Sequence, residues 1–250
     1  MDNDDYRWFE FVDRPLNERF PFDWPWLAGA SAWAEGVGTL RDADAANARQ
    51  WLEQIRRAPR KKQGAKCPRV FVSHRQSDAK EALRIAWIAQ SEGWNYWLDL
   101  VDLKVTSTQR NRQLDALEKW LGHPPTPLQV SIFTAAIIEM GLLNCTDVIA
   151  AMTQNSRGSQ WIPYEYGRVK EATPIATNAA SWWDTTTLNL TDLPEYLYLA
   201  PILENEIAIR GWLQHEMVRM KMNNQFLACP GAPRHDWPRQ IPTPDPLPTG

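Results

Sequence analysis

The chain has 250 residues, of which 44% are hydrophobic and 23% are charged, and it contains 14 Trp and 19 Pro. This composition is typical of a globular protein that buries a substantial core, so it excludes an intrinsically disordered chain. The formal net charge of -3 excludes the strongly basic surface that general binding to nucleic acids or anionic membranes requires.

The cysteines and the hydropathy pattern bear on the cellular compartment. Cys67, Cys145 and Cys229 are odd in number, far apart and without metal-ligand spacing. The chain begins with the acidic stretch MDNDDYRW, and it has no apolar run near the about 18 residues that span a bilayer. We therefore expect a cytoplasmic protein with reduced thiols, no metal, no membrane association and no direct nucleic-acid binding.

A domain boundary is expected near residue 65. Residues 1–65 contain a Trp-rich stretch broken by Pro and Gly, then a helix over 41–58 with apolar residues at helical spacing. Residues 66–210 are predicted to form one α/β domain. Residues 211–250 are predicted to be the end of a C-terminal helix and a Pro-rich tail.

The predicted α/β domain opens with strand, helix and strand in about 30 residues. Arg69–Ser73 (RVFVS) has the composition of a buried strand. Asp78 is placed to cap the next helix, with Glu81 three residues on, and Gly93 is placed to end it in the left-handed conformation. Asn95–Leu98 is the second strand. Because crossovers between neighbouring strands are right-handed, this unit predicts a parallel sheet.

Further elements continue the alternation and predict an open parallel sheet with helices on both faces. In chain order they are a polar loop over 100–108, a helix over 110–121, a break at 123–127, an apolar helix over 130–143, a strand over 146–153, a helix over 161–172, short strands over 174–178 and 187–190, and a long helix over 201–223.

Three motifs occur in the order and spacing of TIR domains. The first strand leads into Phe71-Val72-Ser73-His74-Arg75 followed by Asp78, the second ends in Tyr96-Trp97-Leu98-Asp99, and Ser159-Gln160-Trp161-Ile162-Pro163-Tyr164-Glu165 matches S-x-W-x-x-x-E. Over residues 66–210 the chain therefore resembles the TIR family, and in particular the NAD-cleaving, prokaryotic-type TIR proteins of anti-phage defence, such as Thoeris-like ones. It departs from a minimal TIR domain in a longer region between Asp99 and Cys145.

The resemblance implies a flavodoxin-like sheet and an enzyme that cleaves the nicotinamide-ribose bond of NAD. NAD is then a substrate and no cofactor is expected, which agrees with the absence of a G-x-G-x-x-G fingerprint. It also implies self-association through TIR domains, a role in antiviral defence signalling, and a downstream effector that responds to a linear, cyclic or conjugated ADP-ribose product. The residues implied are Glu165 as catalytic and Ser73, His74, Arg75, Asp78, Asp99 and Trp161 as substrate-binding.

Glu165 suits this chemistry on physical grounds. Departure of nicotinamide leaves an oxocarbenium-like ribose, which a nearby carboxylate stabilises, as in glycoside hydrolysis. Pro163 fits only in the first turn of a helix, which puts Glu165 near the positive end of the helix dipole and favours its ionised form. Trp161 lies four residues earlier and so projects to the same side.

Several of these residues also have a simpler interpretation. Glu165 read alone is a solvent-facing first-turn Glu, and Trp161 is as readily a core aromatic. For Arg75 two binding roles are open, namely contact with a diphosphate and stacking on a ring. His74 is more simply a polar loop residue, Asp99 a turn cap and Asp78 the helix cap described above.

Two other functions compete with NAD cleavage. A non-catalytic TIR module that assembles with other TIR domains needs no carboxylate directed into a pocket. A deoxyribosyltransferase-like enzyme shares a similar α/β fold and a catalytic Glu. The S-x-W-x-x-x-E match favours the NAD-cleaving enzyme.

Overall fold

A computed structural model describes residues 45–57, 68–98, 118, 121–143, 145–170, 179–222 and 244–248. The helices and strands are, in chain order, α1 (Ala45–Arg57), β1 (Arg69–Ser73), α2 (Ala79–Ser91), β2 (Asn95–Leu98), α3 (Pro127–Leu143), β3 (Asp147–Met152), α4 (Trp161–Lys170), β4 (Ala179–Trp183), β5 (Ile202–Leu203) and α5 (Glu206–Met222). The chain divides into two compact units, one with α1 and α3 and the other with all five strands and α2, α4 and α5.

The larger unit is built on a five-stranded sheet in the order β2-β1-β3-β4-β5, in which every neighbouring pair is parallel. All six residues of β3 and all five of β4 are buried, and β1 is buried after its first residue. Strands buried on both faces are the rule in parallel sheets, because helices cover them. The predicted α/β architecture with a parallel sheet is confirmed.

The two ends of α2 differ in how well the sequence predicted them. Gly93 has φ 84°, and the Trp94 amide donates to the Ala89 carbonyl at 2.9 Å, so the predicted left-handed helix end is confirmed. The predicted cap at Asp78 is wrong, because its side chain accepts no hydrogen bond from α2. Asp78 closes a 3-10 turn at φ -107° and ψ 24°, whereas a capping residue takes the extended conformation.

The region after β3 departs most from the predicted elements. Residues 187–190 are not a strand, because the Asp184 carboxylate accepts from the Thr186 amide at 3.0 Å and the Thr187 hydroxyl at 2.7 Å and so closes a turn. The fourth strand is β4, while the predicted strand over 174–178 lies outside the described residues. The last helix begins at 206 rather than 201, since β5 first pairs with β4.

The smaller unit packs α1 against α3. Ala48, Trp51 and Ile55 of α1 are buried at the predicted helical spacing. The helix α3 begins at Pro127, earlier than predicted, because Thr126 and Gln129 exchange two hydrogen bonds of 2.8 and 3.2 Å in a capping box. Proline at the first helical position needs no hydrogen-bonding partner, so the predicted break is a helix start.

Other sequence expectations fall largely outside the described residues. These are the Trp-rich stretch before residue 45, the loop over 100–108 and most of the helix over 110–121. The predicted boundary near residue 65 also lies outside the described residues. The domain limits 1–65, 66–210 and 211–250 stay a prediction. Within the described part of the chain, no helix combines the length and apolar character that crossing a membrane requires.

The seating of α5 on the larger unit can be tested by one substitution at two positions. Ile209 is fully buried, whereas Ile207, two residues earlier, is 82% exposed. Ile209→Ala should lower the free energy of unfolding by about 2–5 kcal/mol, because it leaves a cavity in a packed core. Ile207→Ala should change it by about 0.5 kcal/mol or less. Urea unfolding of both variants measures the difference, and equal effects would contradict this orientation of α5.

Candidate functional site

The carboxylate of Glu165 lies at the carboxyl-terminal edge of the sheet and is held from a neighbouring strand. Pro163 occupies the first turn of α4, as predicted, and Glu165 follows it with only 5% exposure. Oγ of Ser73, the last residue of β1, donates a hydrogen bond to Oε2 of Glu165. The interpretation of Glu165 as a solvent-facing residue is therefore wrong.

The loop between β3 and α4 is shaped by local hydrogen bonds. The Thr153 side chain accepts from the Asn155 amide at 3.0 Å, and Ser156 Oγ accepts from the Thr153 amide at 3.1 Å. Gly158 has φ 73°, a conformation that glycine adopts at little cost. Ser159 Oγ then accepts from the Ile162 amide at 3.4 Å. These contacts fix where α4 begins and thus where Glu165 lies.

A second contact joins the loops that follow β1 and β3. Nδ2 of Asn155 donates to Oδ1 of Asp78 at 2.7 Å, and Ser77 Oγ donates to the same oxygen at 3.3 Å. Asp78 is almost completely buried, and its Oδ2 has no hydrogen-bond partner among the described residues. Asp78 thus joins two loops of the site, which replaces its predicted role as a helix cap.

His74 has a defined tautomer. Nδ1 lies 3.0 Å from the Val72 carbonyl oxygen, so this nitrogen carries the proton and donates. Nε2 is buried and has no hydrogen-bond partner within the described residues. Burial lowers the pKa of His74 below its ordinary value, against the hydrogen bond to Val72 and the negative charge of Asp78, which act to raise it. His74 is therefore neutral at pH 7.

The other predicted site residues are placed less tightly. Arg75 is exposed, and its carbonyl accepts from the Asp78 amide at 2.8 Å. Trp161 is 43% exposed, with its ring 5.9 Å from that of Tyr164 in an edge-on arrangement, so it is not a core aromatic. Asp99 lies outside the described residues. The structure therefore brings Ser73, Glu165 and Asp78 to one edge of the sheet and leaves Arg75 and Trp161 facing solvent there.

Three polar residues of this edge were not singled out for the site from the sequence. Asn155 lies between the predicted strand over 146–153 and the predicted helix over 161–172, Glu81 is predicted only as part of the helix cap, and Asp184 follows a strand that the sequence does not predict. Burial raises the pKa of Glu81, and the negative charges of Asp78 and Asp184 raise it further. The signal that could have found Asn155 is its position directly after a predicted strand, where parallel sheets place their ligand-binding loops.

Comparison with known proteins supplies no family, since no protein-family model matches the chain and no curated protein is significantly similar to it. Among the residues that the structure describes, no group of three or more His, Cys, Asp or Glu is arranged to hold a metal ion. The site is therefore interpreted from its own side chains.

A double-mutant cycle tests the Asp78–Asn155 contact. Asp78→Ala and Asn155→Ala should each lower the free energy of unfolding, and the double variant should lose less than the sum of the two. We expect a coupling energy of about 0.5–3 kcal/mol, the range for residues in contact. The coupling energy should fall in the lower part of this range, because Asn155 is exposed and water can partly replace its side-chain amide. Additive losses in urea unfolding would contradict a direct bond.

His74 predicts how stability depends on pH. The folded state holds the pKa of His74 below the ordinary 6.5, so it binds fewer protons than the unfolded state just below that pH. The contribution of His74 is complete above pH 6.5 and is lost as the pH falls from that value through the lower pKa of the folded state. His74→Asn keeps a side-chain amide donor but does not titrate.

The measurement is the free energy of unfolding between pH 5 and 8 for the parent, His74→Asn and His215→Asn, a control at an exposed histidine. We expect a shallower pH dependence for His74→Asn alone. Parallel curves for the parent and His74→Asn would show that the ring is not buried as described.

Proposed function

We propose that this protein is a TIR-domain enzyme that cleaves the bond between nicotinamide and ribose in NAD. The observation that carries the proposal is the buried carboxylate of Glu165, which accepts a hydrogen bond from Ser73 at the carboxyl-terminal edge of a parallel sheet. This is the Glu of the S-x-W-x-x-x-E motif that suggested a TIR NADase. The motif and the geometry both favour the same residue.

The topology supports a ligand site at this place. The strand order β2-β1-β3-β4-β5 is that of flavodoxin-like sheets. The chain adds β2 on one side of β1 and β3 on the other, so the order in which strands are added reverses between β1 and β3. Ligands of such sheets bind outside the carboxyl ends of the strands, at this switch point. The Ser73–Glu165 and Asp78–Asn155 contacts both join the end of β1 to the region after β3. They therefore flank the position where a ligand of this fold binds.

The chemistry of the site suits a leaving group that is already positively charged. Nicotinamide departs from NAD as a neutral base, so the reaction needs no strong general acid, and neutral His74 is not required to protonate it. The positive charge moves to the ribose, where the Glu165 carboxylate is placed to stabilise it. Ser73 is a positioning residue, because its hydroxyl contacts Glu165 and fixes the carboxylate before the substrate arrives.

Water or a hydroxyl of the substrate then attacks the ribose on the carbon that nicotinamide has left. The water or hydroxyl proton is released to solvent or to the carboxylate, and the products are nicotinamide and linear or cyclic ADP-ribose. A carboxylate that holds a ribose hydroxyl serves both outcomes. The exposed Trp161 and Arg75 stand at the same edge and are proposed to contact the substrate's rings and diphosphate.

The setting follows from the same resemblance. We propose that copies of the chain self-associate through their TIR domains, act in the cytoplasm in antiviral defence, and signal to an effector through the ADP-ribose product. A non-catalytic assembly module is the alternative. The near-complete burial of the Glu165 carboxylate against a serine argues for the enzyme, because an assembly surface gains nothing from a carboxylate removed from water.

Glu165→Gln tests the proposal, because it removes the charge and retains the shape and an oxygen that can accept from Ser73. We expect nicotinamide release from NAD to fall by at least about 100-fold, the effect of losing one group that stabilises a transition state. Glu195→Gln is the matched control at an exposed position and should keep the parent rate. Nicotinamide is followed by chromatography at several protein concentrations, with added crowding agent, because TIR enzymes commonly work as oligomers.

Further arms separate the competing functions. Ser73→Ala keeps the carboxylate and should lose about 10-fold, less than Glu165→Gln, as expected for one hydrogen bond to a charged group. Release of a free base from 2′-deoxynucleosides, with NAD left intact, would favour the deoxyribosyltransferase-like alternative. Absence of release from either substrate in folded, assembled protein would leave the non-catalytic module. Equal rates for Glu165→Gln and the parent would reject Glu165 as the catalytic residue.

A further inference from the structure

The C-terminal residues 244–248 (PDPLP) lie against α2 and α5 of the larger unit. Nη1 of Arg84 in α2 donates to the Pro244 carbonyl at 2.7 Å, and the Leu247 amide donates to Oε1 of Glu206 in α5 at 2.9 Å. Leu247 is only 3% exposed, whereas Asp245 and Pro246 face solvent. A short segment far along the chain is thus held by its backbone and by one apolar side chain.

Arg84 and Glu206 form a recognition pair suited to an extended peptide. Two guanidinium nitrogens of Arg84 donate to the two oxygens of Glu206 at 2.8 and 2.9 Å, which leaves Nη1 for the Pro244 carbonyl. The pair therefore presents a donor and an acceptor to backbone groups three residues apart. Three residues is the repeat of a polyproline II chain, so positions 244 and 247 share one side of such a segment.

The sequence of the segment fits this pattern of hydrogen bonds. Residues 244, 246 and 248 are prolines, which have no amide hydrogen to be buried without a partner. The Leu247 amide is the one that Glu206 accepts, and the Leu247 side chain is buried beside it. Proline also restricts the free chain, so a Pro-Leu-Pro segment loses less entropy on binding than a flexible one.

The walls of this surface are held together without the C-terminal segment. Glu92, the residue that follows α2, accepts from Arg210 at 2.5 Å and from Gln214 at 2.9 Å, both in α5. The guanidinium carbons of Arg84 and Arg210 lie 4.3 and 5.7 Å from the centre of the Trp87 ring. These contacts do not involve residues 244–248, so the surface should persist when the segment leaves.

We propose that the α2–α5 surface around Arg84, Trp87 and Glu206 is a binding site for an extended, proline-flanked leucine segment, and that the chain's own residues 244–248 occupy it within the same molecule. The covalent geometry allows intramolecular binding. The helix α5 has 17 residues and is about 25 Å long. The roughly 20 residues that link its end to Pro244 can span up to about 70 Å, far more than the return to its start requires.

The test uses the full chain with the substitution Leu247→Asp, which puts a charge at the buried position and should release the segment. A fluorescent peptide of residues 241–250 (IPTPDPLPTG) is titrated against this variant, the parent and Asp245→Asn, a control at an exposed position of the same segment. We expect the Leu247→Asp chain to bind the peptide at least about 10-fold more tightly, because in the other two chains the attached segment competes at an effective concentration near the millimolar range.

Two controls make the result decisive. A peptide with Asp in place of the leucine should bind the Leu247→Asp chain at least about 10-fold more weakly. Hydrogen exchange at the amide of residue 247 should be slow in the parent and Asp245→Asn chains, where it is bonded to Glu206, and fast in Leu247→Asp, with the strands protected in all three, which verifies folding. Protection should not change with protein concentration.

Three outcomes would overturn the proposal. The first is rapid exchange of the Leu247 amide in the parent, which would mean that the segment does not dock. The second is equal peptide affinity in all chains, or equal affinity for both peptides, which would mean that the surface does not recognise leucine. The third is protection that appears only as a dimer forms, which would assign the segment to a second copy. None of these readouts depends on NAD cleavage.

Discussion

The hydrogen bond between Ser73 and Glu165 is the constraint on which the site depends. It joins residues 92 positions apart and brings a carboxylate to an edge where Glu165 is almost removed from water. A buried carboxylate is costly unless it is hydrogen-bonded, so its position has to be maintained by the elements around it. Pairing of β1 with β3 brings Ser73 to the carboxyl-terminal edge of the sheet beside the end of β3. The structured loop before α4 fixes the position of Glu165. The site therefore depends on the strand order, because Ser73 can contact Glu165 only if β1 lies beside β3.

Local patterns in the sequence are sufficient to predict the elements whose conformation depends mainly on neighbouring residues. The strands β1 and β2 and the left-handed turn at Gly93 were predicted at the positions where they occur, because β-branched runs and glycine act on the nearest neighbours. The strand β4 (AASWW) is not predicted from the sequence, because it has no β-branched residue and no alternation of apolar and polar residues. Its burial arises from strands on both sides. Residues 187–190 were wrongly predicted as a strand for the opposite reason. Thr187 favours a strand in general, but here its hydroxyl and the neighbouring Thr186 amide donate to the Asp184 carboxylate and close a turn.

The candidate site was predictable to the extent that one motif contains it. The S-x-W-x-x-x-E spacing indicated Glu165 and its place after the first turn of α4, because helix geometry and a first-turn proline are local properties. Asn155 could not be assigned, because its partner Asp78 lies 77 residues away and only the fold brings them together. The same non-local contact accounts for the wrong prediction at Asp78. An Asp before a helix is normally its cap, and that preference of about 1 kcal/mol is outweighed when the residue closes a 3-10 turn and becomes buried against another loop.

The helix α2 connects the candidate site to the C-terminal segment, and the contacts along it indicate how far the two can influence each other. Asp78, beside its first residue, belongs to the site, while Arg84, six residues on, binds the segment about 9 Å further along the axis. A bound segment can shift the site only if α2 takes different positions with and without it. The Glu92–Arg210 pair makes no contact with the segment, so we expect it to hold the end of α2 against α5 in both cases. We therefore expect the segment to act on the stability of the α2–α5 pair and on the surface it covers, while the placement of Glu165 depends on β1 and α4.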